Sequence, residues 1–175
     1  MKKLLVVLLV TVAFCSCKSY EPTKLYAWTY FDRNENLGFR TNYSEYNQRF
    51  FNYSGSLYQC YKTQTPETYG NLYRACSMLL EHPGGKRGVP PPGLCAEYGY
   101  LLILPETPAY LVEYYNNPEN FTAEDQEKMA GTDWSMVFTV EALKAKALEL
   151  FQKEMDLYPE SAPFMEIIIK NLNKQ

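Results

Sequence analysis

Histidine is nearly missing from this chain: His82 is the single copy in 175 residues. With so little imidazole, and with cysteines at spacings that match no zinc pattern, a metal centre has little to be built from. Basic residues are the minority, 17 against 20 acids. That excludes the concentrated positive surface on which nucleic-acid binding depends. Sustained apolar–polar alternation is absent too, so no segment is a convincing strand. The longest apolar run, Leu4 to Phe14, falls well short of the ~20 residues a membrane-spanning helix needs.

That short run has a different use. Met1-Lys2-Lys3 supplies a positive start, and Phe14-Cys15-Ser16-Cys17 closes the run with a small residue directly before a cysteine. This is the layout of a secretory signal peptide whose cleavage exposes a cysteine for lipid attachment. Ser16 fits the small-residue pocket of a signal peptidase and Phe14 does not, so Cys17 rather than Cys15 is the expected lipid attachment site. The layout resembles the bacterial lipobox, with Phe14 where that pattern usually carries Leu. Lys18 follows the cysteine, and no Asp of the kind that retains many lipoproteins at the inner membrane is present. By that resemblance the protein is expected at the bacterial outer membrane, lipid-anchored, with the periplasmic face favoured over the cell surface. Two or three acyl chains give stable anchoring where one is marginal.

Three regions are therefore expected: the signal peptide 1–16, the lipidated Cys17 with a tether to residue 43, and a helical domain over 44–175. Loss of Lys2 and Lys3 with the leader leaves 15 basic residues against 20 acids, a net charge of −5. Sixteen tyrosines and nine phenylalanines dominate the apolar area. Tyrosine buries its ring while its hydroxyl stays wet, so the composition fits a tyrosine-rich core and rim, or a stacking surface for sugars or a partner. Cys60, Cys76 and Cys95 allow one disulfide and one leftover thiol in an oxidising compartment. Buried, unpaired cysteines are the simpler reading.

Helix signals recur along the domain. Ser44 to Tyr61 is a helix weakened by Gly55. Thr65-Pro66-Glu67 places a cap, a first-turn proline and a dipole-favoured acid before a stripe of Tyr69, Leu72, Tyr73, Cys76, Leu79 and Leu80, ending near His82-Pro83. After a Gly/Pro loop, Leu94, Tyr98, Leu101 and Leu102 form a second stripe limited by Pro105. Thr107-Pro108 starts a short helix to about Tyr115. Asn116 to Trp134 is polar, with a turn or two of helix capped by Thr122 and stopped by Gly131. Thr139 caps the clearest helix, with Val140, Leu143, Ala147, Leu150, Phe151 and Leu157 on one side. Ser161 caps the last, from Pro163 to about Asn173. The fold class is all-α.

Two sets of residues carry resemblances. Gly99 is similar to the small residue in the first helix of a tetratricopeptide repeat, and Ala147, Phe151 and Pro159 to the pattern of its second. They imply degenerate tetratricopeptide-like helical hairpins. The strings Val89-Pro90-Pro91-Pro92-Gly93-Leu94-Cys95-Ala96-Glu97-Tyr98-Gly99-Tyr100-Leu101-Leu102 and Lys153-Glu154-Met155-Asp156-Leu157-Tyr158-Pro159-Glu160-Ser161, with Phe164-Met165-Glu166 and the earlier Tyr26-Ala27-Trp28, are more specific. They resemble a family of small bacterial lipoproteins, the domain-of-unknown-function family numbered four thousand eight hundred and ten. Its members are typically encoded beside a curli-secretion-type pore lipoprotein. The resemblance implies an accessory lipoprotein in an envelope assembly, with such lipoproteins as partners, and transfers no catalytic residue.

Other motifs have plainer explanations. Gly84-Gly85-Lys86-Arg87-Gly88 lacks the spacer, the following Ser or Thr and the preceding strand of a phosphate loop. Asp32, Asn34 and Asn36 imitate a calcium loop, but Gly38 falls one place late and Tyr43 replaces the bidentate glutamate. His82 ends a helix, where a cation suits the dipole. Glu149 and Glu154 stand among lysines and read as a solvated face. The expected function is a non-catalytic, lipid-anchored helical interaction module without cofactor. Its candidate interaction surface is Pro91, Pro92, Tyr98, Tyr100 and Tyr158, although core packing claims at least half of these aromatics. The alternative is a surface lipoprotein that stacks glycans on exposed tyrosines.

Overall fold

The computed structural model describes residues 38–81 and 90–174, with side chains of the first helix from Gln48 onward. The signal peptide, Cys17, Asp32, His82 and the 84–88 loop lie outside the described residues. Those residues form helices and connecting turns, with no strand among them. The helices are α1 (Gly38–Lys62), α2 (Pro66–Glu81), α3 (Leu94–Ile103), α4 (Thr107–Asn116), α5 (Ala123–Met129), α6 (Trp134–Val137), α7 (Val140–Leu157) and α8 (Ala162–Leu172). Short 3₁₀ turns, Pro118–Asn120 and Pro159–Ser161, precede α5 and α8. Among the described residues no helix is long and apolar enough to cross a membrane.

The all-α class expected from the sequence is what the described residues form, and the start signals act largely as expected. Thr65 Oγ1 accepts the Thr68 N–H at 3.3 Å, while Thr68 Oγ1 takes the Thr65 N–H at 3.1 Å. This is a reciprocal cap with Thr68 in the position usually given to Glu. Thr122 and Thr139 accept from the Asp125 and Ala142 N–H groups at the starts of α5 and α7. Gly131, just beyond α5, has φ 81°, a backbone conformation that glycine enters without steric cost.

Three boundaries differ. Helix α1 begins at Gly38, inside the stretch expected to be tether, and Gly55 does not interrupt it. Ser161 is not a side-chain cap: its hydroxyl donates back to the Tyr158 carbonyl at 2.7 Å, and the preceding 3₁₀ turn leads straight into α8. The short helix α6 (Trp134–Val137) is additional: it begins at the last residue of the polar stretch Asn116 to Trp134 and follows the stop at Gly131. Asp133 caps it, accepting from the Ser135 N–H at 3.0 Å.

Packing follows the apolar stripes. Helix α2 lies against α1, α3 and α4, while α3 lies against α7, which in turn carries α8. Two glycines let helices approach closely. A Cβ on Gly70 would fall 2.1 Å from the Tyr114 ring, and one on Gly99 would fall 2.6 Å from Phe151 Cε1. Gly99 and Phe151 therefore meet across the α3–α7 seam. Tyr69, Leu72, Cys76 and Leu79 of the α2 stripe are buried, as are Leu143, Ala147, Leu150 and Phe151 of α7. Val140, expected on that buried side, is exposed, because it stands in the first turn of α7. Cys60, Cys76 and Cys95 are free thiols, all buried.

Candidate functional site

The five residues expected to form an interaction surface divide sharply. Pro91, Tyr98 and Tyr158 are buried and are corrected from surface to core, while Pro92 and Tyr100 are exposed. Tyr98 sits on the inner stripe of α3, with its hydroxyl 2.6 Å from Ser77 Oγ and accepting from Lys146 Nζ at 2.8 Å. Lys146 also lies over the Tyr73 and Tyr98 rings, 4.8 and 4.9 Å from their centroids, a favourable cation–π placement. Burial pushes the Tyr98 phenol well up, so it stays a neutral donor and acceptor inside this network. Tyr158 donates its O–H to the Pro90 carbonyl at 2.5 Å, which pins the start of the Pro90–Gly93 segment to the end of α7.

Glu154 reinforces that clamp, and here the solvated-face reading is overturned. The residue is 2 % exposed, and Glu154 Oε1 accepts the Gly93 N–H at 2.7 Å. Gly93 has φ 82° and no side chain to cap α3, so a carboxylate from α7 serves as the cap. Burial raises the Glu154 pKa, opposed by hydrogen bonding from the backbone N–H groups of Gly93, Ala96 and Cys95. The raised balance means that desolvation outweighs the cap. Glu149, by contrast, is exposed as expected.

The other face of α3 is open. Glu97, Tyr100, Leu101 and Leu104 line a cleft together with Leu57, Cys60 and Tyr61 of α1, Gln64, and Tyr69 and Leu72 of α2. Its volume is about 160 Å³, below the ~300–1,000 Å³ of small-molecule sites and closer to the room one side chain takes. Tyr61 donates its O–H to Glu97 Oε2 at 2.7 Å across the mouth. That bond is the main reason the Tyr61 pKa is pushed up to about 12, with burial second. Tyr69 is also pushed up to about 12, chiefly by burial. The rim stays accessible: Tyr61 is 63 % and Tyr100 46 % exposed, and Tyr58 one turn earlier on α1 is 64 % exposed.

Tyr61 and Glu97 were missed as site residues. Each carried a partial signal, since Tyr58 and Tyr61 share one helical face, as do Glu97 and Tyr100. What was not legible was the pairing of those two faces across 36 residues of chain. The resident thiol of Cys60 is buried and raised by desolvation, which keeps it in the unreactive protonated form. Among the described residues no group of three or more His, Cys, Asp or Glu is arranged to hold a metal. Comparison with family models, curated proteins and solved structures finds no match to the chain.

Proposed function

We propose that this protein is a lipid-anchored, non-catalytic helical interaction module of the bacterial outer membrane, which presents the α1–α2–α3 cleft to an envelope protein. The observation that carries this reading is the split between its two sets of tyrosines. Tyr98 and Tyr158, whose hydroxyls were candidates for contact, are consumed by the internal network and the clamp. Tyr61 and Tyr100 instead frame an apolar cleft with one carboxylate at its mouth. Aromatic rings with a wet edge around a partly apolar floor are what protein interfaces favour at their centres.

Anchoring rests on Cys17 and its leader, and placement beside a curli-secretion-type pore lipoprotein rests on the resemblance of the Val89–Leu102 and Lys153–Ser161 strings. The tetratricopeptide-like reading draws support from the packing of Gly99 against Phe151, the two positions that resemble the small and aromatic residues of a repeat, with α4 to α6 inserted between their helices. Two experiments test the proposal. Mass spectrometry of the mature N-terminus should show a diacylated or triacylated cysteine at position 17; an unmodified N-terminus there removes the anchor. A photo-crosslinking amino acid at Tyr100 should trap a defined envelope protein in living cells, while one at Glu127 on α5 should not. Equal trapping from both positions counts against the cleft.

Glycan binding keeps one specific observation in its favour, the exposure of Tyr58, Tyr61 and Tyr100 on adjoining helices. A glycan array probed with the protein and with Tyr100→Ala decides it, because stacking on this rim requires signal from the first and its loss from the second.

A further inference from the structure

We infer that the α1–α2–α3 cleft is a socket for a basic side chain, arginine or lysine, presented by the partner polypeptide; this rests on the interaction-module reading and adds the chemistry of the anchor. The cleft combines the three features such a side chain needs. Its floor is aliphatic, formed by Leu57, Leu72, Leu101 and Leu104, and suits the methylene stem. Tyr61, Tyr69 and Tyr100 stand around it, close enough for the Tyr61 and Tyr69 phenols each to feel that of Tyr100, and ring faces attract a cation.

The third feature is charge. Glu97 is the one charged residue of the lining, and no lysine or arginine shares it. Tyr61 holds the carboxylate through Oε2, and a carboxylate accepts several hydrogen bonds, so capacity remains for an incoming N–H donor. Glu106 adds a second negative charge near Tyr69. The chain beyond the signal peptide is net acidic as well, which draws a basic partner toward it.

Three other occupants fit less well. A sugar ring set into the cleft would leave hydroxyls unpaired against the four leucines, a costly burial of polar groups. An acidic side chain would meet Glu97 head-on. A neutral aliphatic side chain would fill the floor and leave the Glu97 carboxylate partly desolvated without a counter-charge.

The test uses the full mature lipidated chain in detergent micelles and fluorescein-labelled peptides identical except for a central Arg, Lys, norleucine or Glu. Fluorescence anisotropy should rank Arg and Lys about tenfold tighter than norleucine, with Glu weakest. Glu97→Gln keeps an acceptor for the Tyr61 hydroxyl, and should cut the Arg-over-norleucine preference to about threefold or less, by weakening Arg and holding or tightening norleucine. Tyr100→Ala, a change at an exposed position, should weaken the Arg, Lys and norleucine peptides together. Norleucine binding as tightly as Arg overturns the inference, as does an Arg preference that survives Glu97→Gln. Should the preference be absent while a crosslinker at Tyr100 still traps one envelope protein, the cation socket falls and the interaction module stands. Should that trapping fail as well, both fall.

Discussion

Helix α3 has two faces built from the same residue types, and they meet opposite fates. Toward α7, Tyr98 and its neighbours are buried, and Glu154 from the facing helix spends its carboxylate on the Gly93 N–H. Toward α1 and α2, Tyr100 and Glu97 reach a cleft that solvent enters. Tyrosine and glutamate therefore do not announce their role by type. On the α7 side Glu154 Oε1 and the Tyr98 hydroxyl are held internally and confer rigidity, while Glu154 Oε2 is buried without a hydrogen-bond partner among the described residues. On the cleft side, aromatic and carboxylate groups stay within reach of another molecule.

The comparison breaks most visibly at Glu154. Glu154→Ala removes the acceptor for the Gly93 N–H and leaves a hole beside Cys95, so the folded state should lose about 2–4 kcal/mol. Urea unfolding followed by far-UV circular dichroism measures it. A loss within about 0.5 kcal/mol, as for an ordinary surface site, would return Glu154 to the solvated face. Glu97→Ala, the matching change on the open face, should stay within about 1 kcal/mol, since it forfeits only the exposed bond from Tyr61.

Gly99→Ala probes the seam itself. Alanine gains about 1 kcal/mol over glycine in a helix interior, but here its Cβ would stand 2.6 Å from the fully buried Phe151 ring, which would have to shift. Overpacking of this kind costs about 1–3 kcal/mol. The net effect should be destabilising, whereas Gly55→Ala, where a Cβ meets nothing within 4 Å, should stabilise α1. Thermal unfolding of the pair reads the sign directly, and a stabilised Gly99→Ala would mean that α3 and α7 do not meet as described.

Much of this is legible in the sequence alone, and what is not legible there shares a cause. The α2 stripe and the caps at Thr65, Thr122 and Thr139 follow from spacing alone, because they depend on residues three or four apart. The pattern on α7 even contained Glu154: it stands four residues after Leu150 and three after Phe151, on the face that Leu143 and Ala147 define. Its burial is hidden in the sequence because Lys153 stands beside it and a charged residue is seldom buried. No local signal says that Gly93, far earlier in the chain, lacks a cap and needs one. The same limit hid the Tyr61–Glu97 contact. Tyr98 and Tyr100 look alike two residues apart, and only the position of α7 decides which points inward.

The finest test of the two-face description is pH. Glu154 holds its proton more tightly in the folded protein than an unfolded glutamate does, because burial raises its pKa. Its protonated form therefore favours folding. That contribution is complete below the ordinary carboxylate range and is lost as pH rises through the raised folded value. Glu154→Gln keeps an oxygen for the Gly93 N–H and cannot ionise. The difference in unfolding free energy between wild type and Glu154→Gln should thus move in favour of wild type as pH falls through the folded Glu154 pKa, and in favour of the variant as pH rises above it. Paired urea titrations at neutral and acid pH measure this without reference to the other carboxylates, which the two proteins share. A pH-independent difference would mean that the backbone N–H donors at the α3 cap offset the desolvation of Glu154 in full, so that burial does not win there.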